Sequence, residues 1–589
     1  ENFHTIVNGI IESIKRAHKN LSEGNLYLNS GFSSNKPGER YGRNRSIEAY
    51  YLNPKDEIEK YKTEDGEYDV TNRRMTVLKF VRDNGTEIGM YNWAAVHPHV
   101  SGQYLKLING DSKGYASYLF EKDHKTDYLE EDTFVAAFAM NDAGDSSSNL
   151  PEDAYDYDDV ELDENGNYPC DGIHDYKRMV ERAKTQYELA RIIYDNTGEE
   201  LTGSVDYRQM YVHFPSFKIA PDYISPHEVR YKYPDSVDED IENCRLCEPI
   251  AGLGMFSGST EDSVGLIDNE GHARDVADNR SFMDFLEEPL ANGLFDLIWR
   301  LFMPRELIQE DRDCHLEKIN ALPMGRGEYM IPNGKAVTEI LPIQILKIGR
   351  FAIVSLPFEV TTMSGRRIRD DIKKILDDVT YVEINAISNA FMGYLTTRDE
   401  YSIQHYEGGE NWFGPYTLNG IRQMLSELAS TFQTGDDLPD YSLAIDDIRN
   451  TLEDQKIKVG KVKFDNKPVC KKFGDVIEGP EQIYNKGKTV RVKFWGGHPN
   501  NNFQTQLTYL VVEKKGEGGW EFIAADWDPS TFFRWKSTGL NMSEITVEWI
   551  IPKDAESGEY RICHFGNWKS ALTRRIYPYT GISDSFIVQ

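Results

Sequence analysis

Cysteine is scarce in this chain, with six residues among 589: Cys170, Cys244, Cys247, Cys314, Cys470 and Cys563. A small disulfide-stapled scaffold is therefore excluded, because such domains are dense in cysteine. The even count permits three disulfides, and a chain of this size can equally carry six thiols. Basic residues are outnumbered, 66 Lys and Arg against 97 Asp and Glu, which leaves a net charge of −31. That balance excludes an ordinary nucleic-acid binder, whose surface must meet phosphate with positive charge. No uninterrupted apolar run is long enough to span a bilayer. The nearest, residues 340–358, is broken by Gln344, Lys347, Gly349 and Arg350 and reads as two buried strands. Low-complexity tracts and internal repeats are missing as well. With 39% hydrophobic and 12% aromatic residues, the chain has the means to bury substantial cores and is no disordered acidic polymer.

The length predicts two to four domains, or a large enzyme body with an accessory module. Ile6, Ile10, Ile14 and Ala17 recur at helical spacing, and Gly24 closes that pattern. Met75 to Val81 and Ile88 to Val96 read as a hairpin turning at Asp83-Asn84-Gly85. Phe134 to Met140 is a continuous apolar run, a buried strand feeding the loop that starts at Asn141. His174 to Tyr194 has a helical apolar face, and mixed patterns continue to about residue 430. Beyond about residue 450 the runs become short and alternating, as at 489–494, 506–512, 545–551 and 560–564, which predicts a β-sandwich. The fold class expected is α+β, with a large mixed domain over residues 1–455 and a sandwich over 456–589.

Several segments carry candidate chemistry. The string Gly144-Asp-Ser-Ser-Ser-Asn149 follows the apolar strand, where a serine serves as a nucleophile once its hydroxyl is activated. A lipase-like reading finds its Asp-x-x-His only at Asp171 to His174, close in sequence to the serines. His97 and His99 flank Pro98 at a strand end, a position suited to a metal ligand or a structural histidine. Glu359 emerges where a core strand surfaces, and it serves equally well as a helix cap. The acidic stretch 151–171 suggests calcium only weakly, since Asp163-x-Asn165-Gly166 lacks the rest of a calcium loop.

Read in order, these segments resemble the neutral/alkaline ceramidase family. Asn92-Trp-Ala-Ala-Val-His97-Pro98 resembles its zinc-histidine segment, and Gly110 to Ser117 the motif that follows. Phe134 to Asn149 resembles the strand and loop of the catalytic serine, and Gly258-Ser-Thr-Glu-Asp262 is a further match. Leu356 to Gly365 resembles the segment supplying a zinc glutamate, while Gly393 to Thr397 and Glu400 to Gly409 resemble the tyrosine region. Phe473 to Val476, Asp526 to Asp528, Arg534 to Lys536 and His564 to Gly566 match an immunoglobulin-like C-terminal domain. The resemblance implies a zinc-dependent amidase that cleaves ceramide to sphingosine and fatty acid at a membrane surface. It implies Ser147 as nucleophile, Arg45 and Tyr406 as donors to the substrate oxygen, and His97, Glu359 and Tyr394 as ligands of Zn2+.

Two departures stand out. Ser148 occupies the position where the family usually has proline, and Pro98-His99-Val100-Ser101 replaces a segment that usually reads like Pro-Thr-Ser-Met. The second leaves room for another N-acyl lipid as substrate, or for an inactive lipid-binding relative. Glu1 aligns well inside the family's catalytic domain, downstream of a His-x-His segment that gives a further zinc ligand. A cleaved N-terminal chain of the same precursor, retained as a partner, is the expectation that follows. Sequons at Asn20, Asn44, Asn84, Asn279 and Asn541 add to an expected secretory-pathway location, secreted, cell-surface or lysosomal. The resemblance pairs Cys247 with Cys314. Cys470 and Cys563 both lie in the sandwich and are expected to pair, which leaves Cys170 for Cys244 by elimination.

Overall fold

Alternation of apolar residues builds the strands where the sequence predicts them. A computed structural model describes residues 2–34, 40–63, 66–101, 108–148, 173–196, 198–215, 217–228, 244–257, 314–324, 337–439, 441, 462–504 and 507–589. The acidic stretch 151–171, Asp171, Cys170, the motif 258–262 and the sequon at Asn279 lie outside the described residues. The chain divides into two units, residues 21–451, and residues 452–589 with 1–20.

Two sheets organise the larger unit. Its strands begin with β1 (Gly24–Phe32), β2 (Arg43–Asn44), β3 (Arg74–Arg82), β4 (Glu87–Ala94), β5 (Val135–Met140), β6 (Ser146–Ser147), β7 (Glu199–Glu200) and β8 (Val205–His213). They continue with β9 (Ile250–Gly252), β10 (Asn320–Pro323), β11 (Ile340–Ile348), β12 (Phe351–Ser355), β13 (Glu359–Val360), β14 (Tyr381–Asn385) and β15 (Tyr394–Leu395). The first sheet runs β5-β4-β3-β1-β7 and the second β14-β12-β11-β8. Most neighbours are antiparallel, but β4 lies parallel to β5 and β12 parallel to β14. The predicted hairpin is present, and Gly85 takes a positive φ of 82° in its turn.

The period-two pleat sorts each strand's side chains to opposite faces. Leu28, Leu78 and Trp93 point from the first sheet onto Phe351, Ile348 and Ile353 of the second. Met75, Val77, Met90 and Ala94 point the other way, onto Phe120, Ala190 and Ile193 of helices Asp111–Asp123 and Ile173–Asp195. On the outer face of the second sheet, Ile343, Ile345 and Val354 pack with Ile368, Ile372, Ile421 and Met424 of helices Thr362–Ile375 and Thr417–Thr434. The result is four layers, helix, sheet, sheet, helix. The apolar run at β5 is less buried than its composition suggests, with Val135 55% exposed. Among the described strands it lies at the sheet edge, with one strand neighbour.

The smaller unit is a two-sheet sandwich, which agrees with the predicted class. Strands Val476–Glu478, Thr489–Gly496, Met542–Ile550 and Thr531–Gly539 form one sheet. Ile483–Tyr484, Phe586–Val588, Gly558–Lys569, Leu510–Gly516 and Gly519–Ala525 form the other, with Ile576–Ile582 pairing Gly558–Lys569. Val492, Phe494, Val512, Val547, Trp549 and Ile562 fill the space between them. Helix Asn2–Lys19 forms as its periodicity predicts, yet Ile6, Ile10 and Ile14 are exposed.

The Cys247–Cys314 disulfide is formed. The expected Cys470–Cys563 bond is not. Cys563 is buried within a sheet strand and donates its thiol to Glu513 at 3.3 Å, whereas Cys470 is exposed in a turn at positive φ. Sharing a module does not bring two β-carbons within bonding reach. Asn44 is buried and donates to Val70 and Asp145, so its sequon cannot accept a glycan in the folded chain.

Candidate active site

The two parallel strand pairs deliver their carboxyl ends to one place, where chain leaving a sheet must turn. Ala386, just beyond β14, donates to the carbonyl of Met140 at the end of β5. Gly144 donates to Val360, Glu359 to the carbonyl of Gly393, and His97 to that of Ser146. The loop after β5 thus lies against the chain after β12. Gly144 is required there, since a β-carbon would come within 2.8 Å of the Val360 carbonyl carbon.

His97, Glu359 and Tyr394 converge at this point. β13 and β15 run parallel with Glu359 opposite Tyr394, so both side chains leave the same face. The His97 Nδ1 lies 2.9 Å from the Ser146 carbonyl, which fixes the proton on that nitrogen and turns the Nε2 lone pair outward. Nε2 meets the Glu359 Oε2 directly. Burial pushes the His97 pKa down, but the Glu359 carboxylate and the Ser146 carbonyl outweigh it and the net shift is upward. The Tyr394 hydroxyl, also bonded to Glu359, is pushed well above its ordinary range by burial and then by the Glu359 charge. An imidazole nitrogen, a carboxylate oxygen and a phenol oxygen together suit a small divalent cation. The Ser146 carbonyl supplies the outer hydrogen bond that orients a metal-binding imidazole. Among the described residues no group of three or more His, Cys, Asp and Glu side chains gathers in this way. His99 is exposed on the loop beyond.

The three serines are told apart by their surroundings. Ser146 donates its hydroxyl to the Ala95 carbonyl at 2.8 Å and is fully buried. Ser148 is 1% exposed, and its hydroxyl has no hydrogen-bond partner among the described residues. Ser147 lies between them on β6, opposite Arg43 of β2, and is 8% exposed.

The same β2–β6 pairing carries Arg45 to the site. Its backbone N–H donates to the Asp145 carbonyl, and its guanidinium donates to Glu407 Oε1 at 2.7 Å. The guanidinium carbon stands 5.4 Å from the centre of the Tyr406 ring, which packs edge-on against Tyr394 at 5.5 Å. Burial pushes the Tyr406 phenol upward, with Glu410 and Glu359 adding to the shift. The six residues that the resemblance implies for the site, Ser147, Arg45, Tyr406, His97, Glu359 and Tyr394, therefore belong to one neighbourhood. The alternative reading of Glu359 as a helix cap does not hold, since Thr361 stands at the N-cap position of helix Thr362–Ile375, without a side-chain cap hydrogen bond.

A second tier of residues was not singled out from the sequence. Asp145 accepts from the Thr362 N–H and hydroxyl and from Asn44, tying the serine loop to the start of the helix after Glu359. Burial, with Glu400 nearby, raises its pKa. Arg369 grips Asp142 through both terminal nitrogens and also meets Glu383, which accepts from Arg74 and Thr76. Gly365 makes room for that contact, as a β-carbon there would lie 2.5 Å from Asp142. Asp145 stands inside the Gly-Asp-Ser string, a signal that was available. Arg369 and Glu383 carry none.

Comparison with known proteins identifies the family. Residues 1–423 match the neutral/alkaline non-lysosomal ceramidase N-terminal family, and residues 444–588 match its C-terminal counterpart. The chain belongs to the neutral/alkaline non-lysosomal ceramidase family. Neutral ceramidase from Pseudomonas aeruginosa is 32% identical over 591 residues, covering 100% of this chain and 78% of that protein. Neutral ceramidase B from Dictyostelium discoideum is 31% identical over 606 residues, with the same coverage of 100% and 78%. The crystal structure of the Pseudomonas aeruginosa neutral ceramidase superposes with a TM-score of 0.78 at 29% identity, across 100% of this chain and 80% of that one. A ceramidase complexed with C2 gives 0.78 at 30% identity, across 99% and 80%. As a member of the ceramidase family the protein is a hydrolase acting on a linear amide.

Proposed function

We propose that this ceramidase-family protein hydrolyses the N-acyl bond of ceramide, releasing sphingosine and a fatty acid, with Ser147 as nucleophile and zinc as its metal. The observation that carries the reading is the convergence of His97, Glu359 and Tyr394 beside the strand that holds Ser147. The Ser147 oxygen attacks the amide carbon, the C–N bond breaks, and the amine leaves with a proton. Water then cleaves the acyl ester, freeing the fatty acid and restoring the serine. Arg45 and Tyr406 supply a guanidinium and a phenol as donors to the oxygen on which negative charge develops. His97, Glu359 and Tyr394 would hold zinc, which lowers the pKa of a bound water or hydroxyl and polarises a carbonyl.

We assign catalysis to residues 1–455 and an accessory role to the sandwich. No helix among the described residues is long and apolar enough to cross a membrane. The substrate, itself a lipid, would be met at a lipid surface. A secretory route is supported by the Cys247–Cys314 bond, which persists in oxidising compartments. The test is fatty-acid release from a short-acyl ceramide by natively purified protein, with metal content measured on the same sample. Activity lost on chelation and restored by zinc is expected. Cleavage of a different N-acyl lipid only, or full activity without metal, sinks the reading.

A further inference from the structure

Glu407 sits one position beyond Tyr406, in the short helical turn Tyr406–Gly409, and no role follows from its place in the sequence. Its carboxylate faces the two residues that follow β2. Oε1 accepts from the Arg45 guanidinium at 2.7 Å, and Oε2 accepts from the Ser46 hydroxyl at 2.6 Å. The partners are 362 and 361 positions away, and the Arg45 and Glu407 side chains are only 7% and 4% exposed. A buried guanidinium without a counter-charge would be strongly disfavoured, and one with a mobile partner would sample many directions. Glu407 removes both problems, because its second oxygen is anchored on the residue following Arg45 and cannot swing away. The turn it occupies also begins with Tyr406 and ends at Glu410, whose carbonyl accepts the Tyr394 N–H. One turn therefore sets Arg45, Tyr406 and Tyr394 against one another. Burial favours protonating Glu407, but the Arg45 charge and the Ser46 hydroxyl outweigh it and hold the carboxyl below its ordinary range.

We infer that Glu407 is a positioning residue that aims the Arg45 guanidinium at the oxygen of the scissile amide, acting on catalysis only through Arg45. The inference rests on the role given to Arg45 under the proposed function. Its signature is non-additivity, since two residues acting through one interaction cannot lose it twice.

The experiment is a double-variant cycle on the holoenzyme, with kcat and KM measured separately on a short-acyl ceramide and folding checked by thermal melting. Arg45→Ala is expected to lower kcat about 100-fold and Glu407→Gln at least tenfold, with smaller changes in KM. The double variant is expected to be no slower than Arg45→Ala alone, within about twofold. Added guanidinium ion is expected to restore part of kcat to Arg45→Ala, and nothing to Arg45→Ala/Glu407→Gln. Losses that multiply, or equal rescue in both backgrounds, overturn the inference. If Glu407→Gln does not fold, Ser46→Ala takes its place in the cycle. It leaves the ion pair but frees the carboxylate, and a fall in kcat of about two- to fivefold that vanishes beside Arg45→Ala is expected. A fall that persists there, or none at all, overturns the inference. An inactive Arg45→Ala beside a fully active Glu407→Gln defeats this inference alone. A fully active Arg45→Ala defeats the role assigned to the arginine itself.

Discussion

The imidazole of His97 and the carboxylate of Glu359, 262 positions apart in the chain, meet directly through Nε2 and Oε2. The contact exists because β4 and β12 belong to facing sheets and end at the same place. Nδ1 is already committed to the Ser146 carbonyl, so the shared atom between Nε2 and Oε2 must be a proton or a cation.

Ser147→Ala is expected to abolish amide hydrolysis while leaving the melting temperature and metal content unchanged. Ser146→Ala should instead lose about 1 kcal/mol of stability, the worth of its hydrogen bond to Ala95, and keep most activity. Parallel assays and melts check both, and activity surviving in Ser147→Ala but lost in Ser146→Ala would reassign the nucleophile.

Arg369→Met should be among the most destabilising single changes in the larger unit. It strips the guanidinium from Asp142 and leaves Glu383 with Arg74 as its ion-pair partner among the described residues, both carboxylates being buried. A loss of about 3–5 kcal/mol is expected, read from urea unfolding. A loss under about 1 kcal/mol would show that the network adds little beyond packing.

Stability should rise from pH 7.5 to about pH 9. Burial lowers the pKa of Lys113 and of Lys318 from the usual 10.5 to about 7. Lys113 donates to the carbonyls of Ala94 and Ala139, and Lys318 to those of Ile250 and Asn411. Between the folded and unfolded values the unfolded chain holds a proton that the folded chain has given up. Unfolding therefore takes up protons, and raising the pH opposes it, by about 1.4 kcal/mol per pH unit for each lysine. Urea midpoints across this window test the sign, and Lys113→Met should flatten the slope by about half. A slope unchanged by that substitution would place the titration elsewhere.

Thiol labelling should separate the two cysteines of the sandwich. Cys470 is exposed and should alkylate in the native protein, whereas Cys563 is buried beside Glu513, with its pKa pushed up to about 12 chiefly by burial. Its labelling should wait for unfolding. Peptide mapping without reduction should recover Cys247 linked to Cys314, and a Cys470–Cys563 linkage in that map would restore the pairing expected from the sequence.

The sequence by itself determined the local elements, because an element's period reports which face is covered. The hairpin at Asp83 to Gly85, the helix Ile173–Asp195, the pair β11 and β12 and the strand-rich end were all legible in this way. Motifs in fixed order point to His97, Ser147, Glu359 and Tyr394 without reference to geometry. Only the tertiary structure decided which partners these residues keep. Arg45 and Glu407 lie 362 positions apart, and Arg369 and Asp142 lie 227 apart, and nothing in the local pattern marks them as pairs. Cys470 and Cys563 share a module without meeting, and the isoleucine stripe of Asn2–Lys19 is periodic yet exposed. Periodicity is a property of neighbours along the chain. Pairing across hundreds of residues depends on sheet order and on where parallel strands end, and it is set by how the layers pack.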